Sequence, residues 1–170
     1  FFAKMKLRTK FVLMNVSIVT VALASISIIC LQQFQQEMRR QMTMDQENRL
    51  KTFHELLQQK GTDLRVSDGR LMAGNYIINN NFELPDKLKE LCGGAATIFM
   101  GNVRVSTNVL KGDCARAVCT QLDGPAYDAV FKEGKPYRGE AQILGVPYFT
   151  TYEPLRDGKG EIVGALFVGV

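Results

Sequence analysis

A run of 21 uncharged residues, Phe11 to Leu31 (FVLMNVSIVTVALASISIICL), constrains this chain more than any other feature. At about 1.5 Å rise per residue, such a helix covers the roughly 30 Å hydrocarbon core of a bilayer. Lys4, Lys6, Arg8 and Lys10 stand just before it, and no acidic residue precedes it. These four account for the whole formal net charge of +4, so residues 32–170 sum to zero. That asymmetry predicts the basic end in the cytoplasm and the rest outside. The expected division is a cytoplasmic stub over 1–10, a transmembrane helix over 11–31 and an extracytoplasmic domain over 32–170. A cleaved signal peptide with its site at Ala22-Leu23-Ala24 is the rival reading. Against it, the apolar run continues through Ser25–Ile29, where a cleavage region turns polar. A lipoprotein signal needs a small residue before Cys30, and Ile29 is bulky.

The outer part is long enough for one core but not two. Its neutral charge gives no electrostatic footprint for nucleic acid. Cys92, Cys114 and Cys119 lie in it, an odd number for an oxidising compartment. Cys114 and Cys119 can bridge if Ala-Arg-Ala-Val turns back between them, and Cys92 can equally pair with either. Their spacing is not Cys-x-x-Cys, and the one histidine, His54, is far away, so neither a metal site nor c-type haem is expected. A phosphate loop and a His-Glu-x-x-His motif are both missing, and one histidine supplies no oriented base. The expectation is a non-enzymatic domain without cofactor.

From Leu31 to about Lys60 apolar residues fall at Leu31, Phe34, Met38, Met42, Leu50, Phe53 and Leu57. Steps of three and four predict one helical stripe over 32–60, continuous with the anchor and stopped at Gly61. Beyond it, over 61–170, the period changes. Asp63–Val66 and Leu71–Ala73 flank Ser67-Asp68-Gly69-Arg70 as strand, turn, strand. Residues 76–81 read as loop, and Pro85–Leu91 as a short helix with Leu84, Leu88 and Leu91 on one side. A second hairpin turns at Gly101-Asn102, residues 109–123 make an excursion, and Pro125–Lys132 is a short helix. Tyr137–Leu144, Tyr148–Glu153 and Ile162–Val168 read as an antiparallel meander. The predicted class is α+β, with a central antiparallel sheet of about five strands and short crossing helices.

Two segments carry a resemblance: ATIFMGNVRVSTNVL, and PAYDAVFKEGKPYRGEAQILGVPYFTTYEPLRDGKGEIVGALFVGV. In order and composition the outer part resembles the single Cache domain of bacterial methyl-accepting chemotaxis proteins, nearest the Cache three/Cache two hybrid type. The resemblance implies a PAS-like periplasmic sensor in the bacterial inner membrane, with a long N-terminal helix. A helix of more than about 40 residues is too long to stand alone, so a homodimer along residues 11–60 is expected. The resemblance also implies a second membrane helix, a HAMP linker and a signalling coil after the last strand, so the sequence is expected to be a piece of a longer receptor. Related sensors serve histidine kinases and cyclic-dinucleotide enzymes, which keeps those outputs open. Cysteines at 114 and 119 depart from the small or polar residues of the family pattern.

A small organic acid or amino acid, the family's typical ligand, needs a guanidinium fork and hydroxyl donors, because desolvating an anion must be offset by charge-assisted hydrogen bonds. Alternation puts Tyr148, Thr150 and Tyr152 on one strand face, Arg138, Glu140 and Gln142 on one face, and Arg104, Ser106 and Asn108 on another. Arg138 or Arg104 with Tyr148, Thr150 and Tyr152 is the candidate set. Arg138 leads, since it borders Gly139, where backbone can approach a ligand closely. The rival of another class is a membrane-tethered domain that binds a protein and no small molecule.

Overall fold

The computed structural model describes residues 7–112 and 115–170. Helix α1 runs Leu7–Lys60 without a break and ends before Gly61, whose N–H returns to the Gln58 carbonyl. The chain divides into two units, residues 1–43 and residues 44–170. In the first unit the apolar side chains of α1 are exposed, Phe11, Ile18, Ile28, Leu31 and Phe34 among them. That helix is long and apolar enough to cross a membrane.

In the second unit the α1 stripe is buried at Leu50, Phe53 and Leu57. Each such side chain contributes about 1.5–3 kcal/mol when fully removed from water. A small sheet follows: β1 (Leu64–Ser67), β2 (Arg70–Ala73) and β3 (Tyr76–Ile77) in the order β1-β2-β3. Its first turn has Asp68 and Gly69 at φ 50° and 71°, the doubly left-handed pair of a tight hairpin. β3 and the fully buried Ile78 correct the loop expected over 76–81. Helix α2 (Glu83–Cys92) buries Leu84, Pro85 and Leu88, whereas Leu91, expected beside them, is 55% exposed.

The central sheet has five antiparallel strands, the number and sense expected, in the order β5-β4-β8-β7-β6. They are β4 (Ala95–Met100), β5 (Val103–Thr107), β6 (Tyr137–Ile143), β7 (Val146–Arg156) and β8 (Ile162–Gly169). β7 is longer than predicted, because the turn closes at Leu144-Gly145 and Val146 and Pro147 already pair with β6. One face of the sheet packs on α1: Ile98, Leu155, Leu166 and Val168 with Leu50, Phe53 and Leu57. The other holds Phe99, Tyr152 and Phe167 under Leu122, Ala126 and Val130 from the excursion. Those covering residues sit on and around α3 (Gly124–Tyr127), which continues into a wide π-type turn at Asp128–Lys132. Segment 115–122 also shields the free edge of β5, through Arg104 N–H to Thr120 O and Cys119 N–H to Arg104 O. The Cys114–Cys119 pairing lies outside the described residues; Cys119 itself is exposed.

Candidate functional site

Strand alternation on β5 is broken by a β-bulge. Ile98 pairs with Ser106, but Phe99 pairs with Arg104, so Val105 is the extra residue. Val105 joins the helix-side core and Ser106 donates to the Asn81 carbonyl, while Arg104 turns to the Phe99 face. The shared face expected for Arg104, Ser106 and Asn108 is therefore corrected. A bulge re-aims a side chain in this way, and here it aims a guanidinium into the sheet's second core.

Arg104 is 7% exposed, and its Nε is buried without a hydrogen-bond partner among the described residues. No carboxylate pairs with it there; the Phe99 ring lies 5.4 Å from Cζ, and Tyr152 is near enough to interact with its charge. Burial pushes this guanidinium below its ordinary pKa, yet arginine remains a cation at any physiological pH. Such a buried, uncompensated charge is costly unless something else supplies the anion.

The side chain lines a cavity of about 330 Å³ with Thr120, Asp123, Tyr137, Ile143 and Tyr152. That volume sits at the small end of small-molecule sites. The Tyr152 ring is 2% exposed and held by Phe167 (centroids 4.8 Å apart), Tyr137 (6.1 Å) and Phe99 (6.2 Å). Burial, opposed by the nearby Arg104 charge, pushes its phenol up to about 12. The hydroxyl therefore stays protonated and able to donate. Asp123 is at the start of α3, in the N-cap position, but its side chain caps nothing.

Of the residues singled out from sequence, Arg104 and Tyr152 come together. Thr150 shares their face, but it is fully buried and donates to the Gly139 carbonyl at 2.8 Å. Tyr148 lines a different cavity of about 520 Å³, with Asn108, Lys111 and Leu144. Arg138 pairs across β6–β7 with Thr151, on the opposite face from Tyr152, and is ion-paired with Glu47 of α1. It does not meet the Arg104 cavity. Gly139 is explained by packing: a Cβ there would stand 2.6 Å from the Tyr137 hydroxyl. Tyr137 and Asp123 went unselected in the sequence reading; the one signal for Asp123 was an acidic residue before Gly-Pro at a helix start.

A third cavity, about 410 Å³, lies where α1 ends, lined by His54, Leu57, Leu64, Glu153 and Leu155. His54 Nδ1 is buried there without a partner. A guanidinium carries an obligate charge and an imidazole does not, so an unpartnered nitrogen is costlier in Arg104 and its cavity is the stronger candidate.

A sheet of five antiparallel strands with a long N-terminal helix on one face and a ligand-sized cavity on the other is the PAS-like sensor architecture. The profile of the family described as Single cache domain 3 matches residues 76–170, more than half the chain. The chain belongs to that family. Among solved structures, the E. coli DcuS sensor domain is similar at 9% identity and a TM-score of 0.42, over 52% of this chain and 63% of that one. The chain thus spans less than two thirds of that domain's length. No curated protein matches it.

Proposed function

We propose that this chain is the ligand-sensing part of a transmembrane chemoreceptor of the methyl-accepting type, and that it binds a small carboxylate on Arg104. The observation that carries the reading is the buried guanidinium, without a counter-ion among the described residues, at the wall of a small cavity. A carboxylate seated there makes charge-assisted hydrogen bonds to Arg104 and accepts a further one from the Tyr152 hydroxyl. The domain works by binding rather than catalysis. The basic stub and apolar run support an inner-membrane anchor with the sensor in the periplasm. The exposed stripe Leu31, Phe34, Met38 and Met42 supports a homodimer along residues 11–60.

Strand β7 supplies the relay. Tyr152 faces the cavity, while the adjacent Thr151 faces α1 and donates to Gln46 Oε1 at 2.8 Å, both groups buried. Glu47 holds Arg138, and Arg49 holds the Cys92 and Gly93 carbonyls. A ligand that shifts β7 would move its partner helix with it, and a two-state displacement of that kind needs only an ångström or two.

The test is calorimetric titration of the full chain in detergent micelles with a panel of small carboxylates, amino acids and amines. Binding of a carboxylate by the wild type and its loss in Arg104→Met supports the reading. Binding that survives the substitution refutes it. Silence across the panel with capture of a protein partner favours a tethered protein-binding domain.

A further inference from the structure

We infer that the Arg104 cavity selects a monocarboxylate that also carries a cationic nitrogen, and that Asp123 is the residue that rejects a second carboxylate. This rests on the reading of Arg104 as the carboxylate site. Two opposite charges line the one cavity, Arg104 within it and Asp123 at its exposed mouth. Among the described residues neither has an ion-pair partner within 4.0 Å, and they do not pair with each other. Asp123 also forgoes the backbone N–H groups that an N-cap aspartate usually takes. Both nevertheless lie close enough to act on one phenol: the Arg104 charge favours the Tyr152 phenolate and the Asp123 charge disfavours it. The two border the one cavity that Tyr152 also lines, with an unbridged gap between them, since among the described residues no ion pair within 4.0 Å joins them.

A molecule that bridges such a gap has an anionic end and a cationic end. The second acidic residue along the cavity wall, Glu140, does not change this balance. It is exposed on edge strand β6, and by register its side chain leaves the sheet on the Arg138 face. A dicarboxylate would satisfy Arg104 and set its second charge against Asp123, a like-charge juxtaposition that specific sites use to exclude competitors. A zwitterion would satisfy both.

The probes are matched in length: 4-aminobutanoate, butanoate and succinate, with glycine and β-alanine for shorter spacings. Each is titrated calorimetrically into the full chain in micelles, as wild type, Asp123→Asn and Arg104→Met. The wild type is expected to bind the best amino compound about 10–100-fold more tightly than the dicarboxylate of matched length. In Asp123→Asn that preference should fall to within about threefold, chiefly because the dicarboxylate gains. Asp123 is exposed, and an unchanged melting midpoint of the variant confirms that the fold is retained. The inference is overturned if succinate binds the wild type as well as the amino compounds, or if Asp123→Asn leaves the ranking unmoved. Loss of every probe in Arg104→Met alongside an unmoved ranking removes the selectivity claim alone. Undiminished binding in Arg104→Met, or no binding to the wild type at millimolar probe, removes the carboxylate site and this inference with it.

Discussion

Replacing Arg104 by methionine should make the ligand-free domain more stable while destroying its binding. Methionine keeps an unbranched stem in the space but removes the charge and the buried, unpartnered Nε–H. A buried donor left unsatisfied costs about 1–3 kcal/mol. The Phe99 ring 5.4 Å from Cζ returns about 1 kcal/mol of that as a cation–π contact. The balance is a gain of about 1 kcal/mol, or roughly 3–5 °C in melting midpoint for a domain of this size. On the binding side, two charge-assisted hydrogen bonds lost to a carboxylate are worth about 3 kcal/mol or more, a factor of at least ~100 in affinity. The chain has no tryptophan, but its five tyrosines all lie between residues 76 and 152. The tyrosine near-ultraviolet circular dichroism therefore follows the sheet-bearing unit, with no tyrosine signal from the long apolar helix. A variant less stable than the wild type by more than about 1 kcal/mol would refute the argument, since it would mean that the protein itself compensates the charge.

Three further outcomes follow from the packing and the titration of buried groups. Gly164→Ala should lower the midpoint by about 10 °C or abolish folding, because its Cβ would clash with the Phe99 carbonyl oxygen, backbone that cannot yield; thermal unfolding checks it. Thr151→Val should cost about 1–3 kcal/mol by stranding Gln46 Oε1, and adding Gln46→Leu should recover most of it, as a double-mutant cycle in denaturant would show. The Tyr152 phenol is raised from 10.0 to about 12, so between those values the folded state holds a proton that the unfolded state has released. Its stabilising contribution is complete below pH ~10 and is lost as pH rises towards about 12. Unfolding followed across that range should show a steeper decline in wild type than in Tyr152→Phe.

Most of the fold was readable because the patterns repeat. The α1 stripe, two Gly-centred hairpins and the final meander each rest on several residues that agree. The failures were single positions decided by tertiary contacts. Leu91 carries the right spacing on α2 but turns out to water, and the short β3 exists only because β2 offers it a partner. The candidate site was half legible. Arg104 and Tyr152 were named, but alternation alone assigned Arg104 the company of Ser106 and Asn108, because the extra residue at Val105 leaves no mark in composition. Arg138 looked better in sequence, next to a glycine. Register sends it to the other face, where Glu47 claims it.

The central claim is that a ligand carboxylate completes the hydrogen bonding of Arg104. The most direct measurement is the ¹⁵N-arginine side-chain spectrum of the full chain in micelles, with the Arg104 Nε–H signal assigned by its disappearance in Arg104→Met. Addition of a carboxylate that binds by calorimetry should shift that signal, with the other arginine Nε–H signals changing less. A bound carboxylate that leaves the Arg104 signal where it was would contradict the account.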